Sequence, residues 1–253
     1  MNNESGIDLI LDVGKELMEC GAESAVVEEC MSSLAYKLDL SGVGVTVLPK
    51  SILATIFENG HYKTKVSHID DVKPDFRKLT EIYRLCRKDG INDPKAIRSG
   101  LSTALHSNGD TNIKYLTTPL ALGAFAFIFG SDIIGAFIAF VAGFFAFLMK
   151  DLILHKGINV MLANVASAFC ATFLVYLIST KFHPSALSAA QAASIIFLVP
   201  GVPLINSLED LLKGHYLNGV ARGMRAFFLT FGVVVGTILA LGLQEYVGRI
   251  GWF

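Results

Sequence analysis

Four basic side chains follow one another closely in the last fifth of this sequence: Lys213, His215, Arg222 and Arg225. Side chains of these types gather anions. A guanidinium can hold a carboxylate through two parallel hydrogen bonds, and an ammonium acts as a point charge. His215 can also carry a proton, because an unperturbed imidazole has a pKa of about 6.5. Just upstream, Glu209 and Asp210 would repel an anion and take up a proton or a cation instead. Each residue also has a plainer reading. The cations satisfy the rule that places Lys and Arg on the cytosolic side of a membrane, and a loop histidine is usually solvated. Ser207 could cap a cytosolic helix, with Asp210 three residues on.

These residues follow an interrupted apolar run, Leu198-Val199-Pro200-Gly201-Val202-Pro203-Leu204-Ile205-Asn206. A proline lacks a backbone N–H and its ring clashes with the carbonyl four residues back. Pro200 and Pro203 therefore disturb the turns that would pair with Ile196 and Val199. In hydrocarbon, unpaired backbone groups are tolerated only where they face protein or a water-filled cavity. Broken membrane helices commonly build transporter sites, although a simple proline kink is the competing explanation. Asn206 sits directly after the break. A half-helix starting near Val202 would aim N–H groups at a carboxylate.

The elements that must position these groups are mostly membrane helices. Of the 253 residues, 53% are hydrophobic and 17% charged, too apolar for an ordinary soluble domain. The charges are uneven: residues 1–113 hold 13 Lys+Arg and 17 Asp+Glu, and the remainder hold 8 and 5. Five apolar runs follow, roughly Tyr115–Phe129, Ile133–Met149, Asn159–Ser179, Ala186–Asn206 and Ala226–Leu243. The first is short for a span of about 20 residues. The expected fold is a membrane α-helical bundle of five transmembrane helices (114–253) with an N-terminal cytosolic α+β domain (1–113). Lys114, Lys150, Lys156, Lys213, Arg222 and Arg225 fall on one side, Lys181 and Arg249 on the other. That asymmetry places the N-terminus in the cytosol and the C-terminus outside the cytoplasmic membrane. It puts the proline break in the cytosolic third of the fourth span.

The first 113 residues alternate helix and strand signals. Ile7, Ile10, Leu11, Leu17 and Met18 make one helical stripe ended by Gly21, and Val27, Cys30, Met31, Leu34 and Leu38 make a second. Val43, Val45 and Val47 alternate as a strand. Ser51–Phe57 and His61–Val66 flank Asn59-Gly60 as a hairpin, with Lys63 and Lys65 guarding the outer strand. Pro74–Lys88 predicts a helix burying Phe76, Leu79, Tyr83 and Cys86. Asp93-Pro94 starts another, with Ile97, Leu101, Ala104 and Leu105 inward. Ser107-Asn108-Gly109-Asp110 reads as a linker.

Several function classes are excluded or disfavoured. The net charge of −1 and the absence of a basic domain give no support for nucleic-acid binding. There is no phosphate-binding loop for ATP-driven pumping. Cys20, Cys30, Cys86 and Cys170 lack metal or redox spacing and read as small buried residues. Glu23, Glu28 and Glu29 fit a solvated helix face better than a hydrolytic site. No catalytic residues, metal site or cofactor are expected. Within the spans, Asn164, Ala168, Ala171 and Val175 share one face, and Gln191 and Ser194 another, as close helix packing requires.

Gly21-Ala22-Glu23-Ser24-Ala25-Val26-Val27-Glu28-Glu29, Phe197 through Ser207, Asp210-Leu211-Leu212-Lys213-Gly214-His215 and Gly219-Val220-Ala221-Arg222 together resemble the threonine/serine exporter family. The resemblance is strongest to the larger subunit of its two-component form, which is associated with succinate export. It implies secondary export of small hydrophilic metabolites, either a succinate-like dicarboxylate or threonine and serine. It implies a smaller membrane partner subunit. A five-span unit followed by a similar second unit would also give the inverted repeat common among transporters, and a homo-oligomer is a further possibility. On this basis the substrate-binding candidates are Pro200, Gly201, Pro203, Asn206, Lys213, His215 and Arg222, and the coupling candidates Glu209 and Asp210. The alternative is a membrane-anchored sensor whose cytosolic domain binds a ligand.

Overall fold

The computed structural model describes residues 3–58, 60–70, 72–88, 92–106 and 113–250. Asn59 of the expected turn and the Ser107-Asn108-Gly109-Asp110 linker lie outside the described residues. The chain divides into two compact units. Unit 1 comprises Met1–Gly109 and Gly201–Met224, and unit 2 comprises Asp110–Pro200 and Arg225–Phe253. This grouping differs from a division at residue 113 by the segment Gly201–Met224, which carries nearly all the candidate site residues.

In unit 1, helices α1 (Asn3–Glu19) and α2 (Ser24–Lys37) precede an antiparallel sheet in the order β1 (Gly44–Leu48), β2 (Ser51–Glu58), β3 (His61–His68). Helices α3 (Phe76–Arg87) and α4 (Pro94–Leu105) follow. The apolar stripes predicted for α1 and α2 are buried: Ile7, Ile10, Leu17, Val27, Met31 and Leu34 are fully enclosed. Ile52, Ala54 and Ile56 of the central strand alternate onto the same core, as a period of two requires. Gly60 takes the positive φ of 82° that a tight turn between β2 and β3 needs. On β3, Lys65 pairs with Asp8 at 2.7 Å, while Tyr62 and Val66 stay exposed. Asp75 caps α3 by accepting from the N–H groups of Arg77 and Lys78, and Asp93 caps α4 by accepting from Lys95 N–H, with Pro94 in its first turn. The inward face of α3 holds Leu79, Tyr83 and Cys86 as expected and adds Ile82 in place of Phe76. Ile82 and Cys86, one turn apart, point into the core, with Leu79 and Tyr83 flanking them. Phe76, in the first turn, is exposed.

Unit 2 contains α5 (Lys114–Ile128), α6 (Ile133–His155), α7 (Val160–Phe182), α8 (Leu187–Ile195) and a 3-10 turn (Ile196–Leu198). Helix α9 (Gly201–Leu212) belongs to unit 1. Helix α10 (Tyr216–Ile250) starts in unit 1 and contributes its residues from Arg225 onward to unit 2. The two units are packed on opposite rules. Most of the largest fully buried side chains, from Ile7 to Ile97, lie in unit 1. Unit 2 buries alanines instead: Ala126, Ala139, Ala142, Ala146, Ala163, Ala168, Ala171, Ala190 and Ala193. Many of its large apolar side chains, including Ile128, Ile133, Phe137 and Leu152, face outward. Small residues inside and large apolar ones outside suit helices packed in lipid, where dispersion between close backbones replaces hydrophobic collapse.

Helices α6, α7 and α10 are long and apolar enough to cross a membrane, and α8 with α9 makes a fourth crossing if the broken pair is one span. Helix α5 has 15 residues, about 22 Å of rise against a hydrocarbon core of about 30 Å. The expected five spans are therefore not reached on length alone. The fourth apolar run is not a kinked continuous helix. The extended backbone of Val199 (φ −68°, ψ 125°) separates the 3-10 turn from α9, and Pro203 sits in the first turn of the new helix, where a missing N–H costs little.

Close backbone approach is explicit between α7 and the later part of α10. A methyl group on Gly232 would meet the Met161 carbonyl oxygen at 2.9 Å, and one on Gly236 would run into that of Val165. Asn164 donates to Leu229 O at 3.3 Å, and Gln244 to Thr172 O at 3.1 Å, along the same contact. Gly236→Ala is expected to destabilise the detergent-purified protein by about 1–3 kcal/mol, since carbonyl and helix must both shift. Its melting midpoint should fall; an unchanged midpoint would mean that the two helices stand farther apart.

Candidate functional site

Two helix-ending glycines organise the polar centre of unit 1. At the end of α1, Gly21 (φ +89°) lets its own N–H reach Met18 O and lets Ala22 N–H reach Leu17 O. At the end of α9, Gly214 (φ +88°) does the same: its N–H reaches Leu211 O, and His215 N–H reaches Asp210 O at 2.8 Å. Both are the paired-bond C-terminal motif that needs a left-handed residue. The Lys213-Gly214-His215 sequence is thus first of all a helix stop that turns the chain into α10.

These two turns meet. The N-terminal residue of α2 is Ser24, and Glu23 at its cap makes no side-chain capping bond. The missing acceptor comes from α9. Asp210 accepts from Ser24 N–H at 2.9 Å and from the Ser24 hydroxyl at 3.2 Å, and it is fully buried. An anion at a helix N-terminus meets both free N–H groups and the positive end of the helix dipole. At the C-terminal end of α1 the complement is made by donors. Asn206 Nδ2 donates to Gly21 O at 2.7 Å, and Arg222 Nη2 donates to Ala22 O at 2.7 Å. Arg222 Nη1 lies 3.3 Å from Asp210 Oδ2, an ion pair without hydrogen-bond geometry. Asn218, one turn before Arg222 on α10, donates to Ser24 Oγ at 2.7 Å and to Val47 O at 2.9 Å.

The rim is charged as well. Lys213 donates to Glu23 Oε1 at 2.6 Å, and His215 Nδ1 lies 3.7 Å from Glu28. Burial raises the Glu23 carboxyl pKa. The neighbouring Glu209 carboxyl and the hydrogen bond from Lys213, with the charges of Lys213 and Arg222, outweigh it and hold that carboxyl below the usual glutamate value. The Lys213 ammonium is shifted up, first by its hydrogen bond to Glu23. Three buried polar atoms of the cluster keep hydrogen-bonding capacity unused: Glu23 Oε2, Asn218 Oδ1 and Arg222 Nη1.

Of the sequence candidates, Asn206, Glu209, Asp210, Lys213, His215 and Arg222 all gather in this cluster of unit 1. Pro200 falls in unit 2, and Gly201 and Pro203 in the first turn of α9. Each of Lys213, His215 and Arg222 faces a carboxylate of the chain. Ser207 does not cap a helix: α9 begins six residues earlier, so Ser207 sits inside it and donates to Gly219 O at 2.7 Å. Glu23 and Glu28 do not lie on a solvated face but face Lys213 and His215 of the turn after α9. Sequence reasoning missed Ser24 and Asn218. The available signal was Asp210 itself, because a carboxylate in an apolar helix needs a partner.

A model of the family described as ThrE, putative threonine/serine exporter, matches residues 8–244. The chain is 28% identical to a probable succinate transporter subunit, YjjP, of Escherichia coli over 96% of its own length and 95% of that protein. It is 24% identical to a threonine/serine exporter of Corynebacterium glutamicum over 94% of its own length but 51% of that protein. With a probable threonine/serine exporter of Mycobacterium tuberculosis the figures are 25%, 93% and 45%. No solved structure matches the chain.

Proposed function

We propose that this chain, which belongs to the threonine/serine exporter family, is one subunit of a secondary exporter of small hydrophilic metabolites. The cargo is a succinate-like dicarboxylate or threonine and serine, and a smaller membrane partner completes the transporter. One observation carries the reading. The chain corresponds to nearly all of a protein named as a transporter subunit and to about half of a protein named as an exporter. That correspondence supports reading the chain as one part of a machine that elsewhere is a single polypeptide.

In this reading the chain crosses the cytoplasmic membrane five times, with α5 as a short first span, the N-terminus cytosolic and the C-terminus outside. Six Lys or Arg on one side against two on the other support that orientation. The break at Pro200, Gly201 and Pro203 is the hinge. The cluster of Asn206, Asp210, Lys213, His215 and Arg222 against Gly21–Ser24 is a latch. Glu23 and Asp210 take the places on Lys213 and Arg222 that a cargo carboxylate would take, so loading exchanges one carboxylate for another. Glu209 and Asp210 are the groups available to carry a coupling proton.

Efflux of succinate, threonine and serine from cells expressing the chain with and without its partner tests the reading. Export of at least one metabolite that requires both proteins is the expected result. Unchanged efflux of all three with both present overturns it.

A further inference from the structure

Lys213, His215 and Arg222, which follow the proline break, already face carboxylates, at 2.6, 3.7 and 3.3 Å. Lys150, near the end of α6 in unit 2, is different. Its half-buried ammonium has no ion-pair or hydrogen-bond partner among the described residues. It rests over the Phe197 ring, 5.6 Å from the centroid. It lines a cavity of about 360 Å³ with Thr118, Phe147, Asp151, Leu154 and Phe197. The acid in that lining is committed elsewhere. Asp151 accepts from the Tyr115 hydroxyl at 2.5 Å and faces Lys114 at 3.8 Å and His155 at 3.6 Å. The cavity thus keeps one uncompensated positive charge against apolar walls. Its size is at the small end of the usual range for small-molecule sites.

We propose that the Lys150 cavity binds a carboxylate group and is a station for the cargo of the exporter described above, a reading on which the inference rests. A buried-side cation without a counter-ion gains most from an anionic ligand, because water is already partly excluded around it. The rings of Phe147 and Phe197 and the side chain of Leu154 accommodate a short carbon skeleton, and Thr118 adds a hydroxyl to the wall. Succinate, threonine and serine share the carboxylate that this charge recognises. Phe197 belongs to the 3-10 turn that closes the first half of the broken run, so cargo in this cavity touches the segment whose backbone must move.

The test uses the full chain with its partner in phosphatidylcholine vesicles, with succinate, threonine and serine as separate probes. Lys150→Met is expected to weaken binding of the exported metabolite about tenfold or more. Lys150→Arg should recover most of it, and Lys156→Met, which removes an exposed cation at the end of the same helix, should change nothing. In the wild-type protein, labelling of Lys150 by an amine-reactive reagent, read by mass spectrometry, should slow when the metabolite is added. This second arm needs no variant to fold. Labelling that none of the three metabolites slows overturns the site. So does labelling slowed only by anionic phosphatidylglycerol, which would make Lys150 a lipid headgroup anchor. Wild-type export matched by Lys150→Met overturns the site and leaves the exporter reading standing. A wild type that exports nothing overturns the exporter reading, and the labelling arm still decides whether the cavity takes a carboxylate.

Discussion

Asp210→Ala is expected to cost the protein about 3–5 kcal/mol of stability, because it leaves the Arg222 guanidinium buried without its counter-ion. Asp210 is fully enclosed, and the Arg222 side chain is only 17% exposed. The same substitution removes the acceptor of both Ser24 donors at the start of α2, so the lost charge and the lost cap fall together and are not separable by addition. Asp210→Asn keeps an acceptor for Ser24 and gives up the charge; its effect should lie between wild type and alanine. Arg222→Met leaves the Asp210 carboxylate held by the N–H and hydroxyl of Ser24, so it should be milder than Asp210→Ala. The double variant Asp210→Leu with Arg222→Met should destabilise less than the sum of its parts, with a coupling of about 0.5–3 kcal/mol. Denaturant unfolding of the detergent-purified chain gives the totals. Hydrogen exchange at the Ser24 amide reports the cap locally. Asp210→Ala within about 1 kcal/mol of wild type would show that the buried pair is not formed.

What was legible in the sequence was local. Gly21, Asp93 and Pro94 mark the ends of α1 and α4 because each residue type does one backbone task. The alternation of Ile52, Ala54 and Ile56 marks the inner face of β2 for the same reason. The family too was legible from the quoted segments, and the family model covers residues 8–244. Faces were harder. Of the expected stripe Phe76, Leu79, Tyr83 and Cys86, Cys86 reaches the core and Leu79 and Tyr83 pack against it, but Phe76 does not, because a first-turn side chain lies beyond it; the fully buried Ile82 was not expected. Pairing was out of reach. The Gly21–Ser24 turn and the Asn206–Arg222 segment are separated by about 185 residues, and neither shows on its own what it binds. Arg222 and Lys213 look like membrane anchors until Asp210 and Glu23 are placed beside them. Lys150 errs in the opposite direction: it reads as one more anchor, and the structure leaves it over Phe197 without an ion-pair partner among the described residues.

Pro200→Ala combined with Pro203→Ala is expected to abolish export while leaving the chain in the membrane. A helix running unbroken from α8 through α9 would hold both prolines in its interior, each disfavoured by about 3 kcal/mol relative to alanine. The two prolines together therefore weigh about 6 kcal/mol against the continuous form, enough to keep it unpopulated. With alanines, residue 200 regains an N–H that can pair with Ile196 O, and the extended backbone of Val199 loses its cause. Gly201 remains as a weak point worth about 1 kcal/mol, too little to restore the break. A helix fixed through this point also fixes the direction of α9. It then competes with the bonds that Asn206 and Asp210 make to Gly21 and Ser24, which form only if α9 is free to settle. Loss of efflux should thus be accompanied by slower hydrogen exchange at residues 199–204 and faster exchange at Ser24. Each single substitution should have a smaller effect, since one interior proline still disfavours the continuous helix. If the double variant exports at the wild-type rate, the break is a packing feature of the fourth apolar run. The transport step must then be sought in the spans around it, with the Lys150 cavity as the first place to look.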